Sequence, residues 1–132
     1  MRVHVVGAAG AGTTTLGHAL AARRGLTHVD TDELPLFDLV VFLWVPADIR
    51  LARLRARERA RYGDAVVIGG PLHDRSEAFV AWAAGYDEGL DVPERCRRLH
   101  ETWLAALPCP VLRIEGAASV EANLELVSRS LG

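Results

Sequence analysis

The segment whose residue types could do chemistry is residues 2–16, RVHVVGAAGAGTTTL. A short apolar run ends at Gly7, glycines recur at positions 10 and 12, and three threonines follow. Glycine has no Cβ to bar unusual backbone angles, so successive N–H groups in such a loop can turn inward around an anion. A helix opening at the threonines would add the partial positive charge of its N-terminus. A hydroxyl in its first turn can reach a Mg²⁺ ion carried by phosphates.

Two templates fit these glycines. Gly7, Gly12 and Thr14 match G-x-x-x-x-G-K-[ST], the phosphate-binding loop, except that Thr13 stands where the pattern has lysine. Lysine neutralises charge on the outer phosphates, whereas a hydroxyl only hydrogen-bonds there. A cation from elsewhere must therefore do that work, or the site binds with little turnover. Gly7, Gly10 and Gly12 also fit G-x-x-G-x-G, close to a dinucleotide fingerprint, with Asp30 about where a ribose-binding acid belongs. A plain tight turn into a helix is the third reading. Three hydroxyls in the first turn favour the phosphate loop, because a dinucleotide fold wants small or apolar residues there for close helix packing.

The loop needs a strand before it and a helix behind it. Residues 2–6 supply a buried strand and residues 14–24 a helix with Leu16 and Leu20 on its apolar face, stopped by Gly25. A short strand over 27–30 runs into Asp30-Thr31-Asp32-Glu33. Residues 37–45, FDLVVFLWV, are apolar on both faces, as in a central parallel strand. Pro46 can open a helix running to about Tyr62, followed by a loop over 63–71. Helices are expected over 74–84 and 93–107, the latter with Cys96, Leu99, Trp103 and Leu107 on one face. A last strand spans 110–115, and Ser119 caps a helix with Val120, Leu124, Val127 and Leu131 as its buried stripe. Strands alternating with helices predict an α/β layer fold on a parallel sheet.

The chain has 132 residues, enough for one domain, and is 50% hydrophobic, enough to bury a core. The net charge of −2 supplies no basic field for nucleic acid. No apolar run approaches a bilayer span, and glycines interrupt the N-terminal apolar stretch at once, so a cytoplasmic location is expected. All 15 basic residues are arginine, which removes every mechanism that needs a lysine. Cys96 and Cys109 lack metal-ligand spacing and are expected to be reduced packing thiols.

With loop, acidic strand end and arginine-rich helix together, the chain resembles the small P-loop kinases of the P-loop NTPase superfamily, the adenylate-kinase and shikimate-kinase-like proteins. More closely it is similar to a bacterial adenylate-kinase-like group, often labelled AAA-family ATPases, that carries G-x-G-T-T-T in the loop. The resemblance implies a three-layer P-loop domain that binds ATP and Mg²⁺ and transfers phosphate to a small acceptor. It implies that Gly7, Ala8, Ala9, Gly10, Ala11, Gly12, Thr13, Thr14 and Thr15 hold the phosphates, with Thr14 on the metal. Asp30 and Asp32 match the D-x-D that holds Mg²⁺ and substrate, and Asp32 is the nearest candidate base. Arg50, Arg53, Arg57 and Arg61 share one helix face at i+3 and i+4 spacing. Arg57 and Arg61 correspond best to the lid arginines of those kinases, the other reading being a solvated basic face.

One departure is large. Such kinases place a further strand and substrate-binding helices after the acidic strand end, but here Leu34-Pro35-Leu36-Phe37 follows almost at once. A βα unit on the order of 30 residues is missing, which locates an internal deletion between Glu33 and Leu34. The seven steps from Asp30 to Phe37 reach about 24 Å fully extended. In those kinases the missing strand lies between the second strand and the loop strand, so the sheet is expected to shorten to about four strands. The loss removes much of the acceptor site and spares the ATP loop. The rivals to a kinase are therefore a non-catalytic nucleotide-binding module and an NAD(P)-binding Rossmann-like protein. An open sheet edge would favour dimerisation.

Overall fold

The structure, a computed structural model, describes residues 2–25, 37–89 and 96–132. Three strands, β1 (Val3–Gly7), β2 (Leu39–Trp44) and β3 (Val111–Glu115), form a parallel sheet in the order β1-β2-β3. β1 lies on β2 from Val3 opposite Leu39 to Gly7 opposite Leu43. β3 lies on its other side from Val111 opposite Val40 to Glu115 opposite Trp44. The unbroken apolar run of β2 is explained by this central place, since Val40, Val41 and Phe42 are all fully buried.

Strand periodicity divides β2 between two cores. Leu39, Val41 and Leu43 join Leu16 and Leu20 of α1 (Thr13–Arg24) and Leu124 and Val127 of α5 (Val120–Leu131). Val40 and Phe42 face the opposite way, onto Leu104 of α4 (Arg97–Ala106), with Trp103 and Leu107 beside it. Between β2 and α4 come α2 (Ala47–Tyr62), a 3-10 turn at Gly63–Val66 and α3 (His73–Ala84). The chain is thus an α/β protein with a small parallel sheet flanked by helices. Ser119 caps α5 as its sequence implies, its Oγ accepting from the Ala122 N–H at 3.1 Å. Arg23 of α1 reaches Glu121 at 2.9 Å and Glu125 at 2.8 Å across the packed pair.

Several expectations are corrected. The described sheet has three strands rather than four. The expected strand over 27–30, the deletion point between Glu33 and Leu34, and the start of the helix expected at 93 lie outside the described residues. The loop expected over 63–71 begins with the 3-10 turn. Leu99 is 38% exposed although the apolar stripe includes it, because His100 takes the inward place, against the Tyr86 hydroxyl at 2.6 Å and the edge of Phe42. Val120 is also exposed, and Asn123 is buried in α5 beside Leu124. Among the described residues no helix is long and apolar enough to cross a membrane.

Candidate phosphate-binding loop

The loop leaves the carboxyl end of β1 beside the carboxyl end of β2. Gly7 is required by that pairing, because a Cβ on it would sit 2.5 Å from the Leu43 carbonyl oxygen. Ala8 and Ala11 are buried, and the Ala11 N–H closes a turn on the Ala8 carbonyl at 3.1 Å. Gly10 and Gly12 adopt φ of +83° and +93°, in the left-handed region that side chains with a Cβ disfavour. At Gly10 space is short as well, with the Arg50 carbonyl oxygen 2.7 Å from where a Cβ would lie. At Gly12 it is open among the described residues, the nearest of their atoms being Arg53 Nη1 at 4.0 Å.

Gly12 is the N-cap of α1, and its carbonyl accepts the first helical hydrogen bond, from the Leu16 N–H at 2.9 Å. The N–H groups of Thr13, Thr14 and Thr15 thus have no intrahelical acceptor. The N-cap, a glycine, brings no capping side chain of its own. Thr14 and Thr15 are exposed, so their hydroxyls are available beside those donors. The Thr13 methyl lies 3.2 Å from the Cβ position of Gly7, so the residue replacing lysine turns its apolar atom against the end of β1.

The first two turns of α2 supply the charge at this loop. Arg50 Nη1 donates to the Ala9 carbonyl and Arg53 Nη1 to the Gly10 carbonyl, each at 3.3 Å. Successive loop carbonyls are thus held by arginines three residues apart, the spacing that places side chains on one helix face. Arg57 and Arg61 are exposed and stand about 6 and 12 Å farther along the helix axis than Arg53. Arg61 lies over the Tyr62 ring, 6.0 Å from its centroid. Arg55 and Arg59 pair with Glu77 and Asp64, and the guanidinium of Arg55 holds the exposed Glu77 carboxyl below its ordinary range.

Asp30 and Asp32 lie outside the described residues. Among the described residues no group of three or more His, Cys, Asp or Glu side chains is placed to hold a metal ion. Of the residues the sequence pattern assigns to a metal, Thr14 is the one among the described residues, and it is exposed at the start of α1. Sequence periodicity grouped Arg50 with a solvated face and singled out neither Asp87 nor Trp44, yet all three prove part of the loop's support. The available signal was position: α2 starts where the central strand ends, so a long side chain from its first turn must pass beneath a loop leaving the neighbouring strand.

No family model and no solved structure matches the chain. It is 40% identical to the uncharacterized protein YqaC of Bacillus subtilis (strain 168), in an alignment covering 95% of this chain and 94% of the relative. That alignment runs over 169 residues, more than the 132 of this chain, so YqaC carries residues with no counterpart here.

Proposed function

The chain belongs to the family of YqaC, and we propose that it binds a nucleoside triphosphate, ATP or a relative, through residues 7–15. The observation that carries this reading is the open side of Gly12. A left-handed glycine opens a helix whose first N–H groups lack intrahelical partners, and among the described residues no atom comes closer than 4.0 Å to the space a Cβ would fill. That cradle fits phosphate oxygens. Thr14 would hold Mg²⁺, which would neutralise charge between the outer phosphates. The loop N–H groups bind and orient the phosphate chain, and Arg53, whose Nη1 lies 4.0 Å from the Cβ position of Gly12, supplies the positive charge that lysine would bring.

Phosphoryl transfer to a small acceptor, of the adenylate-kinase type, is the activity this site would serve. Asp30 would stand on the metal, and Asp32 would act as base toward the acceptor. A non-catalytic nucleotide-binding role is the second reading, favoured by Thr13 and by the residues of YqaC that have no counterpart here. Calorimetric titration with ATP in Mg²⁺, and competition by NAD, tests the first statement. Saturable binding that NAD does not displace supports it, and no binding refutes it. Single-turnover incubation with γ-labelled ATP separates the two roles: release or transfer of label marks an enzyme, and intact bound ATP marks a binding module.

A further inference from the structure

Among the described residues Arg50 is the largest fully buried side chain, with 0% of its surface exposed. A buried guanidinium is costly unless its donors are satisfied and its charge is paired. Its Nε donates to the Val45 carbonyl at 3.0 Å, and its Nη1 to the carbonyls of Ala9 and Ala83, both at 3.3 Å. Its Nη2 donates to Asp87 Oδ2 at 3.3 Å, and the Tyr86 ring centroid lies 5.4 Å from its central carbon. The other oxygen of Asp87 accepts from Trp44 Nε1 at 2.7 Å. One cation therefore ties together the loop, the end of β2, the first turn of α2 and the end of α3 with the turn after it.

A well-packed apolar side chain could occupy the same volume without the desolvation cost, so the charge answers to something besides packing. The Ala9 peptide supplies the reason. Its carbonyl and the Gly10 N–H belong to one planar trans unit and point in opposite directions. A carbonyl held on Arg50 turns the Gly10 N–H away from the buried guanidinium. We infer that Arg50 is a positioning residue, fixing the Ala9–Gly10 peptide so that its N–H is offered to phosphate, with Asp87 and Trp44 fixing Arg50 in turn. The inference rests on the nucleotide reading. Phosphate drawing on the Gly10 N–H would load the same chain of contacts, so the Trp44 indole N–H, joined to the loop through Asp87 and Arg50, is expected to report binding.

Trp82→Phe with Trp103→Phe leaves Trp44 as the sole tryptophan. This parent is titrated with ATP and Mg²⁺, followed by calorimetry and by Trp44 emission. Asp87→Asn is then added, which preserves the shape of the side chain and removes its charge, and thermal unfolding checks that the product is folded. The parent is expected to show a saturable emission change with the calorimetric Kd. The Asp87→Asn chain is expected to lose at least tenfold in affinity and more than half of the emission change at saturation. A folded Asp87→Asn chain with parental affinity overturns the inference. So does a parent that binds by calorimetry with no change in Trp44 emission, an outcome that needs no folded Asp87→Asn chain. A wild-type chain that binds no nucleotide overturns the nucleotide reading, and the inference with it.

Discussion

Gly7 and Gly12 bound the same loop, yet a methyl group does different damage at each. At Gly7 it meets the backbone of the neighbouring strand at 2.5 Å. Gly7→Ala should therefore lower stability by about 1–3 kcal/mol, seen as a shifted urea midpoint. At Gly12 no described atom comes closer than Arg53 Nη1 at 4.0 Å, and the penalty is the positive φ, roughly 1–2 kcal/mol. Gly12→Val should stay folded and lose ATP binding, and unchanged affinity in a folded variant would place the ligand elsewhere. Thr14→Ala removes only a hydroxyl, so it should weaken binding in Mg²⁺ more than binding in EDTA. An equal loss in both would assign Thr14 to phosphate or to structure. A charge-assisted hydrogen bond contributes about 1.5–3 kcal/mol, so Arg53→Ala should cut the preference for ATP over ADP roughly tenfold, and adding Thr13→Lys should restore part of it. Arg57→Ala with Arg61→Ala, set farther from the loop, should change the ratio less; the reverse order would return the phosphate contact to those two residues. The glycines were legible because a left-handed loop admits few other residues. Arg50 was not, because helical spacing groups it with Arg53, Arg57 and Arg61, while burial is decided by α3 and the loop, which spacing does not contain.

The same contrast holds for elements. The run at residues 37–45 identified a central strand because only a strand covered on both faces tolerates unbroken apolar sequence. The faces of α4 and α5 were less legible. Apolar periodicity cannot foresee that His100 is drawn inward by Tyr86 and Phe42 and leaves Leu99 outside. β1 carries its own half-buried histidine. His4 stacks on Phe37 with ring centroids 4.9 Å apart and meets the edge of Trp103 at 6.0 Å. Burial lowers the pKa of its imidazole from the ordinary 6.5. The folded chain therefore takes up that proton at lower pH than the unfolded chain does. Where the unfolded state binds more protons, stability rises with pH. This contribution is complete above the ordinary histidine value and is lost as pH falls from there through the folded pKa. Between pH 7 and 5 the wild-type melting temperature should fall farther than that of His4→Phe, and parallel falls would remove His4 as the cause.

At the scale of the molecule, the sheet divides its helices into two layers, with α1 and α5 sharing one core. Alternation along β2 implied two faces, but no local signal said which helices share one, because that pairing is fixed only when the sheet closes. Leu124 is buried in this shared core, whereas Arg23 and its two carboxylates lie at the surface. Leu124→Ala should lower stability by about 2–5 kcal/mol, and Arg23→Ala by no more than about 1 kcal/mol. Urea unfolding compares them, and similar losses would mean that surface charge rather than packing joins α1 to α5. This pairing also has a consequence for synthesis. α1, the helix that presents the loop's N–H groups, is made early, and the helix that covers its apolar face is made nearly a hundred residues later. A nascent chain still holding α5 in the ribosomal exit tunnel can pack Leu16 and Leu20 against the sheet but not against Leu124 and Val127, so the backing of the loop is completed only when that last helix emerges.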